Sequence, residues 1–286
     1  MRKLRDQIIT AKDLTEYLAT QDDFALELFV YHKATELGLS ATHGGTYQDP
    51  VTKKHRQYDV RATFERANSR VALTIECKSL TPTYPLLVSR IPRAEAESFH
   101  ELVHSFELTS FQTQLHGLTA PRARAVRIRG PHSIYRAGDF VAKAMTQVGR
   151  DEHGRLKSGD GAVYDKWSQA LASADELVSF AEDARVRNKT TFFMTFVIPI
   201  LVVSDGTLWV ADYSEDGTLI NGPSQADESV LFVGREYWAP MRVCYTISHL
   251  HIFTKRQIPS FFDHITKDLH LWGEIFSQEG FKRGLE

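Results

Sequence analysis

The sequence predicts an α/β fold, a mixed central sheet flanked by helices. Three features predict it. The first forty residues carry helix start and stop signals around apolar positions at helical spacing. From Leu39 to Leu80 the pattern changes to the two-residue alternation of strands. From Tyr164 onward a long helical stretch, several short apolar runs and a closing helical stretch follow one another.

Each element follows from local signals. Thr10 is placed to cap a helix over Ala11–Thr20. Asp22 or Asp23 is placed to cap a second helix over Phe24–Leu37, which Gly38 ends. Its stripe is Phe24, Leu28, Tyr31 and Leu37, widened by Ala25 and Phe29. Leu39–Tyr47 reads as a first strand, and Asp49-Pro50 starts a turn over residues 48–54. Gln57–Glu65 and Arg70–Ser79 are the next strands, joined by the four-residue loop Arg66–Ser69.

Pro82, Pro85 and Pro92 mark an irregular passage, after which Ala94–His104 reads as a helix. Tyr164–Ala184 is a stronger helix, with Trp167, Ala170, Leu171, Ala174, Leu177, Val178 and Ala181 in phase. Phe192–Val203 is a buried strand. The Asp205-Gly206 turn then folds Leu208–Tyr213 back as a hairpin. Val230–Val233 and Val243–Phe253 are further strands, and Ile258–Phe276 is a closing helix. The expected organisation is one domain over residues 1–286, with an inserted segment at about 81–161.

Composition narrows the function. Hydrophobic residues at 42% and charged residues at 24% are those of a globular protein, not a disordered one. Two cysteines exclude a disulfide framework, and the sequence has no CxxC motif for structural zinc. The longest apolar run, Phe192–Val203, is interrupted by Pro199 and falls short of the ~20 residues of a membrane span. With no apolar leader either, the expected location is the reducing cytoplasm, with no membrane partner. A net charge of −2 means that any contact with a polyanion must be local. No P-loop or GxGxxG is present, which argues against nucleotide-driven motor activity.

The informative constellation is Tyr58-Asp59 followed by Ile75-Glu76-Cys77-Lys78. Strict alternation puts Ala72, Thr74, Glu76 and Lys78 on one face of their strand. Val71, Leu73, Ile75 and Cys77 lie on the other, so the Cys77 thiol is a core group rather than a nucleophile. If Glu65 pairs with Arg70, then Asp59 falls opposite Glu76, with Cβ atoms about 4.5–5.5 Å apart. Opposed carboxylates repel, so a neutralising cation is expected between them. Oxygen ligands alone favour Mg²⁺ or Mn²⁺. Lys78 places a positive charge beside that centre.

An acid on the second core strand and Glu-x-Lys on the third, after an N-terminal helix, resembles the PD-(D/E)XK nuclease superfamily, which includes restriction endonucleases. The resemblance covers residues 22 to 80 and, loosely, Phe192–Val203; Tyr58 stands where the motif name has proline. It implies a restriction-endonuclease-like core. It also implies that Asp59 and Glu76 bind the divalent metal with the backbone carbonyl of Cys77, while Lys78 orients the attacking water. The implied activity is hydrolysis of DNA phosphodiester bonds, with a role in restriction or defence against foreign DNA and a homodimeric assembly. The alternative is a nucleic-acid-binding subunit on the same fold, either non-catalytic or activated by a partner ATPase or regulatory subunit. The segment from Leu80 to Gly161 is then a candidate interface.

Other residues are candidates beside this centre. Glu27 shares a helical face with Phe24 and Tyr31. It is either a surface acid at the stripe's edge or, by the resemblance, a catalytic acid near a second metal position. Gln169, on the long helix, is by the same resemblance a candidate to face the site. Tyr164 and Trp167 read as core or interface aromatics. His43-Gly44-Gly45 permits close approach of a ligand. Lys53, Lys54, His55 and Arg56 form a basic loop suited to guiding phosphate. Arg122, Arg124, Arg127 and Arg129, followed by Arg136, have no acid among them and are candidates for DNA-backbone contact.

Overall fold

The computed structural model describes residues 6–20, 23–106, 123–159, 161–182, 192–237, 244–268 and 271–272. Among them a large mixed sheet of thirteen strands is flanked by four α-helices. None of these helices is long and apolar enough to cross a membrane.

Two helices begin the chain, α1 (Ala11–Thr20) and α2 (Phe24–Glu36). Thr10 starts α1 through a reciprocal cap: the Asp13 N–H donates to Thr10 Oγ1, and the Thr10 N–H donates to Asp13 Oδ2 at 2.8 Å. The buried stripe of α2 is Leu26, Val30 and Ala34, one position round from the sequence expectation. Phe24 is exposed, and Phe29, Tyr31 and Leu37 pack only partly. Gly38 ends the helix at φ +90°, a conformation costly for any residue with a Cβ.

The meander follows as β1 (Ser40–Gln48), β2 (His55–Arg66) and β3 (Ser69–Lys78). The β2–β3 turn is two residues shorter than expected, because Arg66 pairs with Ser69. The register is nonetheless the expected one: Glu65 faces Arg70, and Val60 faces Ile75. Lengthening the pairing by one rung leaves the sum of paired numbers unchanged, so the face assignment survives. Both faces of β3 are covered. Val71, Leu73, Ile75 and Cys77 belong to one apolar core, and Ala72 to the other.

The described part of residues 81–161 joins the same sheet as β4 (Leu86–Pro92), β5 (Phe99–Phe106), β6 (Ala123–Arg129), β7 (Phe140–Arg150) and β8 (Leu156–Gly159). This corrects the helix expected over Ala94–His104. Only Glu95–Glu97 forms a single 3₁₀ turn, and β5 follows. Pairing to two neighbouring strands outweighs the helical propensity of Glu95, Ala96 and Glu97.

The long helix α3 (Gly161–Glu182) leads towards β9 (Phe192–Val203), the central strand. β9 runs parallel to β3 on one side. On the other it pairs antiparallel with β5 and then parallel with β13 (Tyr245–Thr254). With both edges of β9 filled, β10 (Leu208–Tyr213) cannot return to it, which corrects the expected hairpin. β10 crosses to lie parallel to β4 and pairs with β11 (Leu219–Gln225). β12 (Glu228–Tyr237) pairs with β13, and α4 (Ile258–Lys267) follows. This corrects the helix expected over Ile258–Phe276: it ends at Lys267, because Asp268 turns to extended backbone at ψ +106°, and residues 273–276 lie outside the described residues. The apolar cores place α2 and α4 on the Val71–Cys77 face of β3 and α3 on the opposite face.

Candidate active site

The β2–β3 register ends at Val60 and Ile75, and the next residues, Asp59 and Glu76, both reach Lys166 of α3. There the strands part. The Asp59 carboxylate takes the place of a backbone acceptor: Cys77 donates its N–H to Asp59 Oδ2 at 2.8 Å. So the contact of Cys77 with Asp59 runs through its amide, and its thiol is buried among apolar neighbours.

A cation does stand between the two acids, and it belongs to the protein. Lys166, in the first turns of α3, places its ammonium 2.6 Å from Asp59 Oδ2 and 3.4 Å from Glu76 Oε2. Glu76 is wholly buried, and its Oε1 has no hydrogen-bond partner. Burial pushes the Glu76 carboxyl well above the usual carboxylate range, and the Asp59 charge adds to that while Lys166 opposes it. Burial acts to lower the Lys166 pKa, but the Asp59 and Glu76 charges outweigh it and hold the ammonium protonated.

Arg61 fixes α3 in this position. It shares the α3-covered face, because it faces Thr74 across the hairpin. Its guanidinium donates to Ser173 Oγ at 2.9 Å and to Glu176 at 2.7 Å, and it lies 4.2 Å from the Tyr58 ring. Tyr58 in turn lies across Gly45, where any Cβ would overlap its ring and hydroxyl. Gly45 is therefore required by close approach of a protein side chain. Gly44, at φ +63°, requires glycine for its backbone alone.

The helix-entry side holds the remaining charges. Asp23 leaves its own helix uncapped. Its carboxylate instead accepts from Lys78 Nζ at 2.9 Å and from the Ser79 N–H at 2.6 Å. Lys78 is thus turned towards the start of α2, and the ammonium at the acid pair is that of Lys166. Glu27 is partly buried and contacts His43 Nε2 at 3.1 Å. Burial raises the Glu27 carboxyl and the charge of Asp59 raises it further, against the His43 hydrogen bond. His43 is packed by the Phe24 ring, 5.5 Å away.

The other sequence candidates are dispersed. Gln169 accepts a 3.4 Å hydrogen bond from the Tyr47 hydroxyl through its backbone carbonyl. Tyr164 and Trp167 pack edge to face and line a groove of about 540 Å³ against β7 and β12, on the side of α3 away from β2. In the basic loop Arg56 pairs with Asp49 at 3.0 Å, while Lys53 and Lys54 are exposed.

The arginine run falls on β6, three strand spacings or about 14 Å across the sheet from β3. It does not form one surface. Arg127 and Arg129 lie on the α3-covered face, and Arg124 on the opposite one. Arg127 is already paired with Glu101 at 2.7 Å. Arg122 lies outside the described residues.

Sequence reasoning missed Lys166 and Arg61. Lys166 carries no local signal, since a lysine near a helix start is ordinary. Arg61 did carry one: an arginine sharing the face of Asp59 on a central strand must be paired.

The donor set of Asp59, Glu76 and Glu27 is all oxygen, and the unpartnered Glu76 Oε1 suits a hard divalent cation. Lys166 supplies the positive charge there in this structure. Among the described residues, no three His, Cys, Asp or Glu side chains are grouped closely enough to hold an ion. By donor chemistry alone Asp59 and Glu76 suit Mg²⁺ or Mn²⁺, and Lys166 holds the position between them. Compared with known proteins, the chain matches no family model, no curated protein and no solved structure.

Proposed function

We propose that this chain is a metal-dependent nuclease that hydrolyses phosphodiester bonds of DNA on a restriction-endonuclease-like core, in a restriction or defence role. The observation that carries the reading is the Asp59–Glu76 pair on adjacent strands, sharing one cation beneath α3. Opposed carboxylates weaken a sheet, and a binding site for a divalent ion gives a reason to keep them. When bound, Mg²⁺ or Mn²⁺ lowers the pKa of a coordinated water and neutralises phosphate charge. Asp59 and Glu76 would hold the ion. Lys166, released from the acids, would stabilise charge developing on the phosphate. Glu27, with its raised pKa and its His43 partner, is suited to proton transfer. Lys78 holds the start of α2 through Asp23.

The test is cleavage of plasmid, linear duplex, single-stranded DNA and RNA across a titration of Mg²⁺ and Mn²⁺. Metal-dependent nicking that disappears in Asp59→Asn supports the reading. Cleavage unaffected by that substitution overturns it.

One observation favours a second reading. Glu76 is fully buried and its pair is already neutralised by Lys166, as in a structural ion-pair cluster. On that reading the chain is a nucleic-acid-binding subunit, non-catalytic or activated by a partner ATPase or regulatory subunit. Salt-dependent DNA binding with no cleavage at any metal concentration would select it.

A further inference from the structure

We propose that the cavity between the sheet and α4 binds a small amphipathic carboxylate, its anionic end at Arg93 and its hydrocarbon among Ile134, Ile198, Val230 and Phe261. This site lies on the sheet face opposite Lys166 and is independent of the nuclease reading.

The cavity holds about 280 Å³. At ~30 Å³ per water-sized unit that suits a ligand of about ten non-hydrogen atoms. Its wall is largely apolar, with one buried cation. The Arg93 side chain is only 3% exposed, and an ionised group so far from water needs close compensation. Little is present. Its Nη1 donates to the Arg136 carbonyl at 2.8 Å, and its buried Nε has no partner. The carboxylate of Asp139 is 3.8 Å away, beyond hydrogen-bond distance, and faces solvent. Glu97 is held by Lys143.

Of the other polar groups lining the cavity, Asp139 faces solvent and His264 is paired with Asp268 at 3.2 Å. Burial drives His251 down to about 3 and His249 to about 2, so both are neutral at physiological pH. The Tyr135 hydroxyl is tied to His251 at 2.8 Å. The result is a desolvated guanidinium at the wall of an apolar cavity. A carboxylate matches its fork of donors. A phosphate dianion would need more donors than one guanidinium supplies, and an organic cation would be repelled.

The test uses the intact chain and the ten-heavy-atom probe octanoate, with octylammonium and butanoate as controls, followed by thermal unfolding and calorimetric titration. Octanoate should raise Tm in a saturable way, since a ligand of the folded state stabilises it by mass action. Octylammonium should not, and butanoate should bind at least tenfold more weakly. Arg93→Met should weaken octanoate at least tenfold. Because Arg93→Met can also weaken folding, Ile134→Trp serves as a second variant. It fills the cavity, leaves Arg93 in place and should abolish the octanoate shift while the protein remains folded. An absent shift, an equal response to octylammonium, or octanoate binding that survives Ile134→Trp overturns the proposal.

Discussion

The ammonium of Lys166 stands 2.6 Å from the Asp59 carboxylate, although 107 residues separate the two in the chain. The same ammonium reaches Glu76. A residue from the covering helix thus neutralises a charge pair built by a local hairpin. Lys166→Met should lower Tm, because it leaves two buried acids without their cation. Mn²⁺ should restore more of the loss than it adds to the wild type. On the nuclease reading, Lys166→Met cuts cleavage by about 100-fold or more, and Lys78→Met by less. Calorimetry with and without metal, beside cleavage assays of both variants, checks this ordering. The reverse order of activities would assign the catalytic ammonium to Lys78.

Arg61 clamps α3 to β2 through Ser173 and Glu176. Its side chain is nearly buried, so Arg61→Met should cost about 3 kcal/mol, the cost of breaking a buried pair. Urea denaturation measures it. A loss below about 1 kcal/mol is what an exposed ion pair gives and would show that α3 is held by its apolar face alone.

Glu76 sets a pH dependence of known sign. Its folded-state pKa is raised from 4.5, so above pH 4.5 the folded chain keeps a proton that the unfolded chain has lost. Stability then falls as pH rises through that window, by up to about 1.4 kcal/mol per pH unit. Glu76→Gln should flatten this slope and be no less stable than the wild type at pH 8. Denaturation curves at several pH values test both statements.

Three buried histidines give the opposite slope on the acid side. Burial holds His100 at about 3, His249 at about 2 and His251 at about 3, against 6.5 when exposed. The folded chain keeps them neutral, so their contribution is complete above pH 6.5 and is lost as pH falls towards 3. His249 stacks on Tyr135 with ring centroids 3.7 Å apart. His249→Phe retains that stack and removes one titration. Its acid limb should be shallower than that of the wild type by up to about 1.4 kcal/mol per pH unit. An unchanged limb would show that carboxylates alone control acid unfolding.

The hairpin and its acid pair were legible because strand alternation and a short turn determine parity locally. Even a misjudged loop length left the register of Val60 with Ile75 as expected. Phe192–Val203 was legible because its dense apolar run, short for a helix in a membrane, suits a strand buried on both faces. Other features depended on distant partners. The Asp205-Gly206 signal marked a turn correctly but not the strand that β10 would join, since occupation of both β9 edges is a property of the whole sheet. The segment Ala94–His104 carried helix formers at its start, and only its pairing with β6 and β9 made the later part a strand. Lys166 was illegible for the same reason: nothing near it in the chain indicates that two acids lie under its helix.

The separation between the hairpin and its covering helix has a consequence for biosynthesis. At roughly 5–20 residues per second, Lys166 leaves the ribosome about 5–20 seconds after Asp59. During that interval the nascent hairpin carries two neighbouring negative charges without the ammonium that bridges them in the folded chain, and β3 lacks its parallel neighbour β9. Repulsion between the acids keeps that end of the young hairpin splayed, so its completion coincides with the arrival of α3 and β9.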